Sequence, residues 1–284
     1  MASHRIARRS FLLAAGAGAA AFTLPAAAAA TRLKIEQTGA DGISIGCHFA
    51  GPATGRPVVL LHDAAYDIHS YTAVARLLAA RGMRVVLPYL RGHGSTRLDA
   101  GAAPPGGSPQ ALGGDVLALI DALHIPEAVI AGIGWGADAA YAFAASKPRR
   151  CIGIVAVDGW QTDTALPLLA GATQRGNIAR LIWQRNSPAV RIDETLFQRS
   201  MPSLQNPDFA AVIADGFRHS LARESSRPDI TAPAITLAGS ASGVPPRSAP
   251  HRTIDRAGYN LPHEAPLAFA DAVTELVLGG KWRS

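Results

Sequence analysis

Groups able to move protons or attack a substrate stand at the ends of short apolar runs in this chain. Val58–Leu61 leads into His62-Asp63-Ala64, and Arg84–Leu87 is followed by Leu90-Arg91-Gly92-His93-Gly94-Ser95. Ala128–Gly132 opens into the glycine-rich turn Gly132-Ile133-Gly134-Trp135-Gly136-Ala137, and Ala257-Gly258-Tyr259-Asn260-Leu261-Pro262 precedes Glu264 and Pro266. A tyrosine near its usual pKa of about 10 is a poor general base at neutral pH, but it donates hydrogen bonds and lines pockets well. The two cysteines, Cys47 and Cys151, fall on separate strand-like runs, and neither a Cys-x-x-Cys nor a paired His and Cys spacing suggests a metal. A disulfide between them would require neighbouring strands, so two separate buried thiols are expected. No cofactor motif is present.

The elements that must carry these groups alternate. After a hairpin of strands over Arg32–Gln37 and Ile43–Phe49, strands are predicted at Val58–Leu61, Arg84–Leu87, Ala128–Gly132 and Cys151–Val157. Helices are predicted at Ser70–Ala80, Gln110–Leu123 and Gly136–Ser146. Such alternation argues for a mostly parallel sheet covered by helices on both faces. Residues 160–228 interrupt it with three helical patterns, Asn177–Gln184, Glu194–Ser200 and Asp208–His219, which read as a small helical cap inserted after the sixth strand. Strands at Ala234–Ala238 and Arg252–Ile254 and a last helix over Glu264–Leu278 complete the pattern. The loop between those two strands, Gly239–His251, is too short and too rich in proline for a helix.

Composition bounds the function. A length of 284 residues, 48% hydrophobic and 17% charged, suits one globular domain after removal of a leader. Lysine and arginine total 27 against 21 acidic residues, but no basic run is interleaved with aromatics, so nucleic acid is not an expected partner. Arg8-Arg9-Ser10-Phe11-Leu12-Leu13, the apolar stretch to Leu24 and the alanines after Pro25 resemble a twin-arginine export signal over residues 1–30. The stretch is too short and too weakly apolar to span a membrane. The mature domain, 31–284, is therefore expected in the periplasm or outside the cell.

The four strand-end segments, in this order, resemble the α/β-hydrolase superfamily. Its His-Gly oxyanion turn matches His62-Asp63, its Arg-Gly-x-Gly-x-Ser turn matches Arg91–Ser95, its nucleophile elbow matches Gly132–Ala137, and its histidine segment matches Ala257–Pro262. The elbow is most similar to that of epoxide hydrolases and haloalkane dehalogenases, which reads Gly-x-Asp-Trp-Gly-Ala or nearly so. The resemblance implies an α/β-hydrolase fold with an eight-stranded, mostly parallel sheet and a cap. It also implies a nucleophile, an acid and a histidine, yet those three positions hold Gly134, Ser242 and Tyr259. Asp158, after the sixth strand, occupies the family's alternative acid site. The cap tyrosines that donate a proton in epoxide hydrolases are absent, since Tyr66, Tyr71, Tyr89, Tyr141 and Tyr259 all lie outside 160–228. His263, four residues beyond Tyr259, is expected to point away from the elbow.

Three functional readings follow. In the first, the chain is a degenerate hydrolase that binds a small apolar molecule between cap and sheet. Asp63 and Ala64 would mark the oxyanion turn, and Trp135, Trp160, Trp183, Phe217 and Tyr259 would line the pocket. In the second, it is a non-hydrolytic enzyme on the same fold, with Tyr259 as acid assisted by His62 or Asp158. In the third, hydrolysis of an epoxide, ester or haloalkane runs through other residues, such as Asp63 or Asp138.

Overall fold

The computed structural model describes residues 33–99, 106–157, 166–171, 173–222, 227–246 and 250–282. The expected leader over 1–30, Asp158 and Trp160 lie outside the described residues. Lys34–Ser284 form one unit, which carries the sheet.

Nine strands form that sheet: β1 (Glu36–Ala40), β2 (Ile43–Ala50), β3 (Pro57–Leu61), β4 (Arg84–Pro88), β5 (Arg97–Leu98), β6 (Ala128–Ile133), β7 (Cys151–Val157), β8 (Ala234–Gly239) and β9 (Arg252–Ile254). The spatial order is β1-β2-β4-β3-β6-β7-β8-β9, with β5 paired to β2. β2 runs antiparallel to β1, β4 and β5, and the pairs from β4 through β3, β6, β7 and β8 to β9 are parallel. This is the expected eight-stranded α/β-hydrolase sheet plus one two-residue strand too short to leave a periodic signal. β6 and β7 are buried at every position, as continuous apolar runs in a covered parallel sheet must be.

Eight α-helices accompany the sheet among the described residues: α1 (Thr72–Ala80), α2 (Pro109–Ala122), α3 (Trp135–Ser146), α4 (Arg175–Asn186), α5 (Glu194–Ser200), α6 (Phe209–Ala222), α7 (Leu261–Glu264) and α8 (Pro266–Gly279). α2 packs on α3, and α1 packs on α8. The last helix, expected as one piece from Glu264, is two. Pro266 offers no N–H and disfavours helical backbone at the residue before it, so Ala265 turns out to φ −140° and ψ 57° between α7 and α8.

Helices α4, α5 and α6 form the cap, and polar bonds latch it to the loops at the carboxyl ends of the strands. Trp183 Nε1 donates to Ala65 O at 2.7 Å, and Ser200 Oγ donates to Asp67 Oδ1 at 2.6 Å. Asn206 Nδ2 donates to Thr96 O at 2.6 Å and to Gly94 O at 3.1 Å. Cys47 on β2 and Cys151 on β7 are buried free thiols, separated by three intervening strands. Burial pushes both up to about 12, so neither is a ready thiolate.

Candidate functional site

The chain leaves β3 toward β4 on one side and later returns to β6 on the other, so the strand order reverses at the β3–β6 pair. In an open α/β sheet such a reversal opens a crevice at the carboxyl ends of the strands, where ligands bind. The parallel register sets Leu61 opposite Gly132. Two residues further along each chain, Asp63 and Gly134 meet.

Gly134 forms the sharp turn from β6 into α3, with φ 51° and ψ −115°. Glycine reaches that conformation without the strain a side chain would bring. Space forbids a side chain as well. A Cβ on Gly134 would stand 2.2 Å from Asp63 Oδ1 and 2.5 Å from the Tyr259 hydroxyl. The volume that an elbow side chain would occupy is filled by a carboxylate arriving from β3.

Asp63 is fully buried. Its Oδ1 accepts from Ala64 N at 2.8 Å and from Trp135 N at 2.9 Å. These two amides, one after the β3 turn and one after the elbow apex, are placed as an oxyanion cradle, and the protein's own carboxylate sits in it. Oδ2 accepts from the Tyr259 hydroxyl at 3.0 Å. Hydrogen bonds to an ionised group contribute about 1.5–3 kcal/mol each.

The surroundings hold this pair in place. Tyr71, fully buried, donates from its hydroxyl to Leu61 O at 2.8 Å and so fixes the end of β3. Burial, and then the charge of Asp63, push the Tyr71 phenol well above its usual range, so it stays a neutral donor. Tyr259 is positioned from both sides of its own backbone. Its N–H donates to Ser187 Oγ at 2.9 Å, Ser187 Oγ donates to Glu264 Oε1 at 2.7 Å, and Gly258 N donates to Glu264 Oε2 at 2.5 Å. Ser187 stands at the end of the cap helix α4, so the cap itself sets the Tyr259 loop. Nothing in the local sequence marks Ser187, and Glu264 is visible only as part of the histidine-segment resemblance.

His62 plays a different part from the expected one. Leu90 N donates to its Nε2 at 3.1 Å, which leaves the proton on Nδ1, bonded to Asp63 O at 2.9 Å. Complete burial, and then the neighbouring His93, lower it to about 3. As a neutral ring with both nitrogens engaged, His62 braces two loops and is not placed to shuttle protons. His93 does similar work, reaching Ala64 O through Nε2 at 2.9 Å.

The other sequence candidates scatter. Ser242 turns into its own loop, donating to Val244 O at 3.0 Å and accepting from Val244 N at 3.1 Å. His263 lies toward the cap, with Nε2 3.5 Å from Asp193 Oδ2. Asp138 is buried one turn into α3. Trp135 packs its ring where a Cβ on Gly216 of α6 would be, 2.2 Å from its Cη2, and Phe217 beside it is half-buried. Trp183 stacks on Tyr66 with ring centres 4.7 Å apart and 9° between planes. Tyr66 in turn lies 6.1 Å from the Tyr259 ring. A small cavity of about 30 Å³ lies on the Tyr66–Trp183 side, lined also by Asn260 and His263. Sequence reasoning passed over Tyr66, which is a tyrosine of the β3 loop that leans toward the cap.

A solved candidate epoxide hydrolase from Klebsiella pneumoniae subsp. pneumoniae superposes with a TM-score of 0.75 at 32% identity, over 86% of this chain and 97% of that one. The chain belongs to the epoxide-hydrolase-like α/β hydrolases. Epoxide hydrolase A from Mycobacterium thermoresistibile shares the fold, with a TM-score of 0.70 at 18% identity over 89% of this chain and all of that one, 100%. Epoxide hydrolase 3 from Siraitia grosvenorii is 28% identical over 199 residues, and the match spans 69% of this chain but only 58% of that protein's length. No family model matches the chain. No helix among the described residues is long and apolar enough to cross a membrane.

Proposed function

We propose that this epoxide-hydrolase-like protein does not turn over esters or epoxides by the nucleophile–acid–histidine route, and that it binds a small apolar molecule beside the stacked rings of Tyr66 and Trp183. The observation that carries this reading is the Asp63 carboxylate in the amide cradle facing Gly134. With Ala64 N and Trp135 N engaged by Asp63, a bound carbonyl finds no free oxyanion donors there, and loss of one such donor alone typically costs about 10²–10³-fold in turnover. Gly134 brings no nucleophile. At the histidine position Tyr259 is a weak base, and Ser242 supplies no charge to support one. The remaining acid candidate, Asp158, belongs to the same proposal as a group that has no histidine to orient. The twin-arginine-like leader over residues 1–30 places the protein, on this reading, in the periplasm or outside the cell.

The test is an assay of aryl-ester and aryl-epoxide hydrolysis by the purified chain beside a variant carrying Asp63→Gly, Gly134→Asp, Ser242→Asp and Tyr259→His. Removal of Asp63 is essential to that variant, because a new carboxylate at 134 would collide with the old one. A silent parent and a variant that releases product are expected. Catalytic release of alcohol or diol by the parent would overturn the reading.

A further inference from the structure

We propose that the crevice between α1 and the cap helix α5 is a binding site for a dianionic phosphate group, free or carried as the monoester of a small alcohol. The proposal goes beyond the apolar-ligand reading above and does not rest on it. The crevice has a volume of about 170 Å³, and His69, Arg76, Asp193, Leu196, Arg199 and His263 stand in its walls. Arg76 comes from α1, which packs beside the sheet, and Arg199 comes from α5 in the cap. The crevice borders the small cavity beside Tyr66 and Trp183, with which it shares Asp193, Leu196 and His263.

Neighbouring arginines on the same helices are answered by carboxylates. Arg180 holds Glu194 through both terminal nitrogens at 2.9 Å, and Arg81 reaches Asp271 at 2.6 Å. Arg76 and Arg199 differ: both are exposed, and neither has an ion pair or a hydrogen bond among the described residues. The carboxylates closest to them are engaged. Asp193 accepts from Leu196 N at 3.0 Å, capping the start of α5, and lies 3.5 Å from His263 Nε2. Asp67, fully buried beside His69, accepts from Ser200 Oγ and from His69 N, and lies 2.9 Å from His69 Nδ1. With Nδ1 so engaged, His69 keeps Nε2 for an occupant of the crevice.

Two guanidiniums without counter-charge match a dianion better than a monocarboxylate, and each planar fork can grip two oxygens of one tetrahedral group. A phosphate monoester carries close to two negative charges above its second pKa of about 6. Space agrees with charge. A cavity of about 150 Å³ holds a benzene molecule, so this crevice admits a phosphate together with a short organic group. Because the two arginines stand on the core and on the cap, an occupant ties α5 to α1 and adds to the Ser200–Asp67 bond that already fastens this helix.

The full chain is titrated calorimetrically with phenyl phosphate, inorganic phosphate and benzoate, at constant ionic strength and about pH 7.5, above the second pKa of phosphate. Saturable binding of one phosphate group per chain is expected, with benzoate at least about tenfold weaker. Arg76→Gln and Arg199→Gln should each weaken phosphate binding about tenfold, the worth of one charged hydrogen bond. Both side chains are exposed, so unfolding midpoints without ligand should stay near that of the parent. Arg149→Gln, an exposed change just before the amino end of β7, should leave binding unchanged. Tighter binding of phenyl phosphate assigns the monoester as occupant, and equal or tighter binding of inorganic phosphate assigns the free ion. The proposal is overturned if neither phosphate binds saturably, if benzoate binds equally well, if the Arg76 and Arg199 variants bind like the parent, or if Arg149→Gln loses as much as they do.

Discussion

The end of β3 and the elbow after β6 are neighbouring turns that divide backbone and side chain in opposite ways. At the elbow the backbone keeps everything a nucleophile turn needs: a left-handed apex at Gly134, an amide at Trp135 aimed into the crevice, and the close approach of Gly136 to the Leu61 carbonyl. What is missing is a side chain. At the end of β3 the reverse holds, since Asp63 adds a buried carboxylate where the family resemblance has glycine. The contrast teaches that the amide cradle is a property of two packed turns and persists whichever of them supplies the charge. Taken together, the two turns hold one carboxylate and one glycine.

The sharpest way to break this comparison is to put carboxylates on both turns. Gly134→Asp alone should destabilise the fold by more than about 4 kcal/mol, because it combines backbone strain, overlap with Asp63 and like charges. Adding Asp63→Gly should recover about 2–3 kcal/mol beyond additivity in a urea double-mutant cycle. Simple additivity would mean that the two positions do not share one space.

Emptying the cradle is the next largest effect. Asp63→Leu leaves the Ala64 and Trp135 amides without their acceptor and should cost about 3–5 kcal/mol. Asp63→Asn keeps an acceptor oxygen and should cost about 1 kcal/mol. Equal losses in urea denaturation would show that the cradle does not depend on that oxygen.

The β3 loop carries a second buried carboxylate, Asp67, which faces the cap instead of the elbow and bonds His69 and Ser200. Burial pushes it up, but the hydrogen bond and charge of His69, with the Ser200 hydroxyl, outweigh burial and hold it below its usual value of 3.8. Its folded value is depressed, so its contribution is present above pH 4 or so and is lost as pH falls through the folded value. Asp67→Asn should cost about 2–3 kcal/mol at neutral pH and flatten the acid limb of the stability curve. An unchanged acid limb would assign that limb to other groups. The smallest effect is that of Tyr259→Phe, about 1 kcal/mol in urea, since it removes one hydrogen bond and keeps the ring.

Much of this architecture was legible before any coordinates. The runs Val58–Leu61, Ala128–Gly132 and Cys151–Val157 mark buried strands because apolar continuity is local, and the cap helices announce themselves by spacing. The glycine at 134 was legible for the same reason, as a punctuation mark between a strand and a helix. The two-residue β5 and the break before Pro266 were not read. The first is too short to carry a period, and the second depends on whether a helix tolerates the proline or stops at it. Ser187 gave no signal because its partners, Tyr259 and Glu264, lie more than 70 residues away.

The sequence by itself determined the fold and its helical cap, since each follows from residue type and local pattern. Only the tertiary structure decided that Asp63 belongs to the elbow. Seventy residues separate Asp63 from Gly134 in the chain, and the parallel register of β3 and β6 alone brings the carboxylate to the Trp135 amide. Hydrogen bonding is short-ranged and directional, so a side chain's role is fixed by which backbone amides surround it, and that is a property of strand pairing.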